Sequence, residues 1–395
     1  MSFFSVNTYN FRNLENAQVN TNAKNVFLIG ENGHGKTNFL EAVYVLCFGN
    51  SFRTKIDSLF VKEDEKEMSV KGVYYDYNMD VVSLRSDRDV AKKRRDCNTD
   101  IALRTNHEWQ LEQSDIKNNI LLSIVNGKKT IILNEKKIKD RKDIIYNIPC
   151  VVFSHDDISF VNSTPDRRRT FFNQTISLFD CNYLDNLRQY ERILKNRNAV
   201  LKSNDKKIIS VLDQQLAEKG IELIKIREKI TEEFNETFSA VFSKVSNIDS
   251  KIKILYKPSW DFESDVEKIK KMLLSKIEAE TALGTTLSGP HRDRFFYYMN
   301  KKDFVRIAST GQTRLISLAL KAAQAEFYRE KTGKKPLVLF DDALLELDEL
   351  KKIRFIESFP EYEQAFFTFL PGEEKIISGK EGLFYTVNNG MIKER

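Results

Sequence analysis

Short apolar runs alternate with long stretches of helical periodicity along this chain, and that pattern predicts a mixed α/β fold. The run at residues 25–29 has the length of a buried strand. After a glycine-rich loop, the apolar residues recur at helical spacing, as Phe39, Leu40, Val43, Tyr44 and Leu46. A second buried strand is predicted at residues 337–340, where Leu-Val-Leu-Phe precedes two aspartates.

The N-terminal part of the chain predicts several further strands. They are expected at residues 68–77, 80–84, 121–125 and 130–133. The dipeptide Asn126-Gly127 separates the last two, and this pair of residues is typical of a two-residue hairpin turn. We therefore expect these two strands to pair with each other.

A long, charged, helix-periodic region follows at about residues 183–245. One apolar stripe contains Leu184, Leu187, Tyr190 and Leu194, and a second, less regular one contains Leu216, Ile221, Ile224 and Ile230. Residues 202–207 interrupt the helical pattern. Either an antiparallel helical arm or a plain helical subdomain packed on the rest of the chain fits this pattern. A further helix is expected at residues 264–281.

The glycine-rich loop at residues 30–37, Gly-Glu-Asn-Gly-His-Gly-Lys-Thr, has the complete G-x-x-x-x-G-K-[ST] spacing. Its position between a predicted strand and a predicted helix is the context that a phosphate-binding loop requires. Its glycines allow backbone N–H groups to face phosphates, Lys36 adds a positive charge, and Thr37 is a ligand for Mg²⁺. The alternative is a plain strand-to-helix turn.

The aspartates Asp341 and Asp342 at the end of the second buried strand complement this loop. One carboxylate can hold the metal and the other can orient water, so the two motifs together indicate hydrolysis of a nucleotide, with ATP and Mg²⁺ as cofactors. An Asp-Asp pair on its own is more often a solvated strand end.

A third motif, residues 309–314 (Ser-Thr-Gly-Gln-Thr-Arg), precedes the second strand. Ser309 and Gln312 have the spacing of a capping box at a helix start, which explains them without any ligand. A helix N-terminus containing Ser309, Gly311 and Gln312 is also an anion site, and the two explanations are compatible. A motif of this kind before Asp341, with residues 345–348 after it, is the arrangement of ABC-type ATPases.

Several segments resemble one family of these ATPases, the RecF family of bacterial recombination-repair proteins. They are residues 11–13, residues 32–44, the S-F-R-T segment at 51–54, residues 165–172, the G-P-H-R-D segment at 289–293, and residues 309–348. The resemblance covers nearly the whole chain. Residues 154–157 (Ser-His-Asp-Asp), Arg294 and residues 366–370 depart from the usual pattern of the family.

The resemblance implies an ABC/SMC-type P-loop ATPase head with an inserted, mainly helical arm. Residues 1–155 and 284–395 would form the head, and residues 156–283 the arm. It implies that two subunits enclose ATP between the loop of one and Ser309, Gly311 and Gln312 of the other. The nucleotide-binding residues implied on the first subunit are Arg12, Gly30, Asn32, Gly33, Gly35, Lys36, Thr37 and Asn38.

Further roles are implied by the same resemblance. Asp341 and Thr37 would hold Mg²⁺, and Asp342 would orient the attacking water together with Lys36 as the catalytic cation. The protein would be a slow, DNA-dependent ATPase and an ATP-dependent homodimer that binds double-stranded DNA at junctions with single-stranded gaps. Its partners would be RecR and RecO, which load the RecA recombinase.

Composition and charge agree with this assignment. The chain has 395 residues and a formal net charge of +6. Its basic clusters are candidate phosphate contacts for sequence-independent DNA binding, although each can also be a solvated loop. They are residues 92–95, 128–129, 136–137 and 167–169, with Lys251 and Lys253. The four cysteines and four histidines are too dispersed for a zinc site or a disulfide framework.

Three other classes of protein share some of these motifs. A transporter ATPase would lack the S-F-R-T and G-P-H-R-D segments. A nuclease, or an SMC-like head that serves as a scaffold for a nuclease, would need an acidic metal cluster or a much longer arm. A non-catalytic scaffold would bind ATP without turnover. We expect a cytoplasmic protein without a membrane partner, because the sequence has no membrane-length apolar run and no export pattern.

Overall fold

The structure is a computed structural model that describes residues 1–75, 117–203, 206–247, 252–300, 302–344, 347–377 and 379–395. The strand expected at 80–84, the end of the strand expected at 68–77, the basic cluster at 92–95 and Lys251 lie outside these residues.

The described residues form strands and helices in the alternation that the sequence predicts. The strands are β1 (Ser2–Tyr9), β2 (Ala17–Asn20), β3 (Asn25–Ile29), β4 (Glu67–Tyr75), β5 (Lys117–Val125), β6 (Lys128–Leu133), β7 (Lys136–Lys137), β8 (Cys150–Phe153), β9 (Ile252–Lys257), β10 (Arg294–Met299), β11 (Lys302–Asp303), β12 (Leu337–Phe340), β13 (Gln364–Phe369), β14 (Leu383–Asn388) and β15 (Met391–Glu394). The helices are α1 (Lys36–Phe48), α2 (Lys142–Asn147), α3 (Ser159–Asn162), α4 (Pro165–Ser177), α5 (Cys181–Ser203), α6 (Lys206–Ser246), α7 (Val266–Ser275), α8 (Ile277–Leu283), α9 (Thr310–Thr332) and α10 (Glu349–Glu357). The predicted α/β class is confirmed.

The chain divides into two compact units. Unit 1 contains Met1–Ile144, Glu363–Glu374 and Gly379–Arg395, and unit 2 contains Ile145–Tyr362 and Lys375–Ser378. The division into residues 1–155, 156–283 and 284–395 stays a prediction. Compactness groups the long helices with α9 and β12 in unit 2.

Unit 1 contains an antiparallel sheet with the strand order β2-β1-β4-β5-β6-β7. The predicted hairpin at Asn126-Gly127 is confirmed, since both residues have positive φ, of 49° and 75°, between β5 and β6. One face of the sheet is buried and includes Val6, Met68, Val70, Ile120, Leu122 and Ile124. Helix α1 covers this face, and a Cβ on Gly72 would lie 2.8 Å from Leu46 of that helix.

The predicted strand at residues 25–29 is also confirmed in unit 1. Strand β3 runs parallel to β13 on one side and to β14 on the other, and all five of its residues are buried. Its Phe27 ring stacks on Phe367 of β13 and Phe384 of β14. These contacts fix the end of β3, from which the glycine-rich loop emerges.

Unit 2 contains the other predicted buried strand. All four residues of β12 are buried, and they pair in parallel with β8. A separate antiparallel sheet in this unit has the order β11-β10-β9. The helix expected at residues 264–281 is divided into α7 and α8 at Lys276, which has φ −103° and ψ 0°.

The long helices of unit 2 are packed against its other elements. Helices α5 and α6 are antiparallel, because Tyr183 contacts Arg227 whereas Arg197 contacts Asp213. Helix α6 also packs along α9, where Thr237 donates a hydrogen bond to Glu330 at 2.6 Å and Phe234 contacts Phe327. These contacts hold α6 against α5 and α9 within unit 2, and the helical arm stays a prediction.

Three residues of the G-P-H-R-D segment, Gly289, Pro290 and Asp293, are buried in unit 2. The fully buried Asp293 accepts hydrogen bonds from Arg227 of α6 at 2.7 Å, from the Tyr256 hydroxyl of β9, and from the Ser259 backbone N–H at 2.8 Å. A buried carboxylate requires such partners, and removal of one of them is strongly destabilising. The segment therefore connects α6 to the three-stranded sheet.

Candidate nucleotide-binding site

The glycine-rich loop in unit 1 has the backbone geometry of a phosphate-binding loop. Gly33 and Gly35 have φ of 81° and 111°, a region that residues with a side chain rarely adopt. Gly35 is the N-cap of α1, so the first N–H groups of that helix point towards the loop. Gly30 has a steric role, because a Cβ there would lie 2.2 Å from the Val387 carbonyl oxygen.

Lys36, the first residue of α1, is 3 % exposed. Its Nζ donates hydrogen bonds to the carbonyl oxygens of Gly30, at 2.8 Å, and Glu31, at 3.0 Å. Thr37 and Asn38 follow in the first turn of α1 and are half-buried, and Asn32 is exposed at the loop. The ammonium group is therefore held by neutral acceptors at the position where the motif places phosphates.

A buried carboxylate on α1 organises two arginines beside the loop. Glu41 accepts a bidentate pair from Arg12, at 2.9 and 2.7 Å, and a longer contact from Arg53 at 3.4 Å. The Ser51 hydroxyl also contacts Glu41. Arg53 further donates to the Asn38 side chain at 2.7 Å. Because two guanidinium groups share one carboxylate, this cluster keeps a net positive charge next to the phosphate loop.

Asn13 connects that cluster to the loop itself. Its Oδ1 accepts a hydrogen bond from Asn38 at 2.6 Å, and its Nδ2 donates to the Gly33 carbonyl at 3.3 Å. The segments at residues 11–13, 32–44 and 51–54, which carry the family resemblance, thus meet at one place in unit 1.

The aspartates in unit 2 follow β12. The Asp341 backbone N–H donates to the Phe153 carbonyl of β8 at 2.8 Å, which continues the pairing of the two strands by one residue. Asp342 has φ 48°, the left-handed conformation, and both side chains are half-buried. The backbone therefore leaves the extended strand conformation at the second aspartate.

The third motif forms the start of α9, and the predicted capping box is confirmed. The Gln312 backbone N–H donates to the Ser309 hydroxyl at 3.3 Å, and the Ser309 N–H donates to the Gln312 side chain at 2.9 Å. Ser309, Thr310, Gly311 and Gln312 are all exposed. The helix dipole and the exposed N–H groups make this end of α9 suitable for an anion.

Arg314 connects the start of α9 to the segment after the two aspartates. This buried guanidinium donates to the carbonyl oxygens of His155, at 2.8 Å, and Ala343, at 2.9 Å. The site residues of unit 2 are therefore joined through one side chain. Arg314 belongs to the third motif but is not among the predicted site residues, although a charged residue preceding a long apolar helical run is a signal that it has buried partners.

Glu41 and Arg53 were likewise not predicted as site residues. Glu41 interrupts an apolar stretch of α1 between Leu40 and Ala42, and such an isolated acid indicates an ion pair inside the fold.

Two other acids near the aspartates have local roles. Asp348 is the N-cap of α10, and its side chain accepts a hydrogen bond from the Lys351 backbone N–H at 2.9 Å. Asp156 is exposed.

The basic clusters differ in how far they are available to a ligand. Arg168 donates hydrogen bonds to the carbonyl oxygens of Phe295 and Val161, both at 2.9 Å. Arg169 donates a hydrogen bond to the Asp293 carbonyl oxygen at 2.8 Å. Lys129 pairs with Asp57 at 2.7 Å. The exposed basic residues of the predicted clusters, within the described part of the chain, are Lys128, Lys136, Lys137, Arg167 and Lys253.

Two further features are absent from the residues that the structure describes. No group of three or more His, Cys, Asp and Glu side chains in them is arranged to hold a metal ion. No described helix is both long enough and apolar enough to cross a membrane.

The sequence is similar to one family over most of its length. A family model described as RecF/RecN/SMC N terminal domain matches residues 4–370. The chain is 36 % identical over 388 residues to the DNA replication and repair protein RecF of Treponema pallidum, covering 98 % of this chain and 99 % of that protein. It is 29 % identical to RecF of Leptospira interrogans serovar copenhageni, covering 91 % and 89 % of the two chains.

Solved structures give the same result. The chain matches the recombination mediator protein RecF bound to ATP in the RecFOR pathway, with a TM-score of 0.82, 28 % identity and coverage of 100 % and 97 %. An Smc head bound to the C-winged helix domain of ScpA matches with a TM-score of 0.55 and 14 % identity. The match covers 100 % of this chain and 97 % of that chain. The second match extends the likeness in fold to SMC heads.

Proposed function

The chain belongs to the RecF family of DNA replication and repair proteins, and from that membership we propose that it is an ATP-switched clamp for duplex DNA in recombinational repair. It acts as a recombination mediator together with RecO and RecR, and it promotes loading of the recombinase at single-stranded gaps. Hydrolysis of ATP is slow, is stimulated by DNA, and serves to release the clamp. The protein acts in the cytoplasm.

One observation carries this proposal: the chain combines a complete phosphate-binding loop with a capped helix end that faces solvent. Residues 309–312 are all exposed at the start of α9. A second copy can therefore present its bound nucleotide to this end without any rearrangement of α9. The net positive cluster of Arg12, Arg53 and Glu41 beside the loop supports binding of a polyphosphate.

In the proposed site, the N–H groups at the start of α1 and the Lys36 ammonium group bind the β- and γ-phosphates of ATP. Lys36 exchanges its carbonyl partners, Gly30 and Glu31, for phosphate oxygens, which are stronger acceptors. The Thr37 hydroxyl and the Asp341 carboxylate would hold Mg²⁺, which prefers oxygen donors and would supply positive charge beside the phosphates.

Asp342 orients the attacking water in this proposal. Its backbone turns away from the strand direction, so its carboxylate can serve a different purpose from that of Asp341. Ser309 and Gly311 of the partner complete the site around the γ-phosphate. Dimerisation and ATP binding are therefore linked, because each nucleotide contacts both copies.

Light scattering after size exclusion tests this function. We expect a monomer without nucleotide or with ADP, and a dimer with ATP that also elutes together with duplex DNA. The control is Lys36→Ala, which removes the loop cation and should stay monomeric with ATP. A wild-type protein that binds ATP yet stays monomeric with and without DNA would contradict the clamp.

A further inference from the structure

The solvent-facing side of the antiparallel sheet in unit 1, here called the outer face, carries side chains in ordered rows across the strands. The pairing of β1, β4, β5 and β6 aligns Tyr9, Ser69, Ser123 and Thr130 in one row. All four are hydroxyl residues, and none is buried. Successive strands are about 4.8 Å apart, so the row spans roughly 14 Å.

Lysines flank this hydroxyl row on both sides. The neighbouring row runs from Lys71 on β4 through Leu121 and Ile132 to Lys137 on β7. The row on the other side contains Glu67 on β4 and Val125 on β5 and ends at Lys128 on β6. Lys71, Lys128 and Lys137 are all exposed. The outer face thus presents three cations around a line of neutral hydrogen-bonding groups.

Positive charge is concentrated at the β6–β7 edge of the same sheet. Residues 126–143 contain seven basic and three acidic residues, a net charge of +4 against +6 for the whole chain. Acidic residues mark one boundary of the face, where Glu67 lies in the row of Lys128 and residues 63–65 precede β4. A ligand with negative charge is therefore favoured on the side of Lys71 and Lys137.

An ordinary solvent-exposed sheet face explains these lysines and hydroxyl residues less completely than a binding surface does. An antiparallel sheet with one solvated face needs only alternating polar residues, and lysines on an edge strand discourage pairing with other chains. That explanation covers Lys136 and Lys137 on β7 but not Lys71, which lies on β4 with strands on both sides. Contacts to DNA phosphates and sugars come mainly from Lys, Arg, Ser, Thr, Asn and Tyr side chains, the types found together here.

We propose that the outer face is a contact surface for the phosphates of duplex DNA, with Lys71, Lys128 and Lys137 as its cations and the hydroxyl row between them. This inference rests on the proposed function, because it assigns part of the DNA binding of the clamp to one sheet. The surface recognises the backbone without sequence preference, since lysine and hydroxyl contacts to phosphate carry no base information.

The test is the salt dependence of duplex binding by fluorescence anisotropy, with ATP present. In the triple variant Lys71→Gln, Lys128→Gln and Lys137→Gln, three phosphate contacts are removed without shortening the side chains. The slope of log K against log salt should fall by about 2.7, which is about 0.9 per contact, and affinity should fall on the order of 10- to 100-fold. The matching Lys→Arg triple should bind like wild type, because arginine also pairs with phosphate.

A second triple variant controls for net charge. Lys225→Gln, Lys268→Gln and Lys271→Gln removes the same charge from exposed positions of unit 2 and should leave the slope unchanged. An unchanged slope in the first triple variant, or an equal loss in both, would overturn the outer face as the contact surface. Wild-type protein that fails to bind duplex with ATP would instead overturn the proposed function together with this inference.

Discussion

Asp342 shows how a single backbone conformation restricts the choice of residue at the proposed water-orienting position. Its φ of 48° lies in the left-handed region, which is unfavourable for most residues and tolerated best by Gly, Asn and Asp. A residue with the proposed role must therefore both carry a carboxylate and accept this conformation. Aspartate satisfies both conditions, and asparagine satisfies only the second.

This difference allows a clean test of the catalytic role. Asp342→Asn keeps the backbone conformation and removes only the negative charge, so the variant should fold, bind ATP and dimerise. Its ATP hydrolysis should fall by roughly 10²-fold or more, the scale of losing a general base. The measurement is steady-state phosphate release, with ATP affinity determined separately by calorimetry.

Asp348→Asn is the matched control for this prediction. Asp348 caps α10 through the Lys351 N–H, and asparagine is an equally good N-cap, so turnover should stay normal. If Asp342→Asn turned over at the wild-type rate, the water-orienting role would move to Asp348 or Asp156.

At the scale of elements, α9 combines two properties at its N-terminus. The reciprocal hydrogen bonds of Ser309 and Gln312 satisfy two backbone groups of the helix, so the serine has a structural role whether or not a ligand binds. The same residues are exposed, so the helix end is accessible to a second copy. Mutations at Ser309 must therefore separate loss of the cap from loss of assembly.

Two substitutions at Ser309 achieve this separation. If Ser309 is only a cap, Ser309→Ala should cost about 1 kcal/mol of unfolding free energy and leave the dimer unaffected. Ser309→Arg places a long cation where the partner's γ-phosphate and Mg²⁺ belong in the proposed dimer, so assembly with ATP should fail. Each Ser309→Arg monomer should still bind ATP, because Lys36 and Thr37 are unchanged.

The readouts are thermal unfolding, ATP calorimetry and light scattering of both variants. A folded Ser309→Arg protein that binds ATP and dimerises like wild type would leave the capping box as the complete explanation of the motif.

The elements that sequence predicts correctly are those specified by neighbouring residues. Strands β3 and β12, the Asn126-Gly127 turn and the capping box at Ser309 all depend on local signals. Contacts between distant residues are not specified in this way. The sequence does not indicate that Arg169 bonds to the Asp293 carbonyl, or that Arg314 joins α9 to the Ala343 carbonyl, because such pairs form only after the fold brings them together.

The stability of the whole molecule should depend on pH through His291. Its Nε2 lies 3.0 Å from the Thr286 carbonyl, which can only accept, so Nε2 carries the proton and Nδ1 accepts from the Tyr190 hydroxyl at 2.7 Å. Burial lowers the pKa of His291 to about 4, and the nearby cation of Arg292 acts in the same direction. The folded protein therefore holds this imidazole in its neutral form.

The sign of the effect follows from proton binding. Between pH 6.5 and 4 the unfolded chain protonates this histidine and the folded protein does not, so stability should be lost as the pH falls through this range. The loss from this group should approach about 3 kcal/mol by pH 4. Burial raises the pKa of Asp157, and that shift acts in the opposite direction.

The variant His291→Gln isolates this contribution, because glutamine can keep both hydrogen bonds and does not titrate. Denaturant unfolding of both proteins at pH 7 and at pH 4.5 gives the comparison, and wild type should lose more stability than the variant. Equal losses would mean that His291 is not held neutral in the folded state.

The packing of α6 along α9 has a mechanical consequence within unit 2. The contact lies near Phe234 of α6, about 28 residues from the start of that helix at Lys206, which corresponds to a length of roughly 42 Å. A tilt of about 5° at this contact would move the far end of α6 by nearly 4 Å. Since α9 begins at the proposed γ-phosphate contact, a rotation of α9 there would be carried to α6 through this packing, and the length of α6 would enlarge it to a displacement comparable to the spacing between strands.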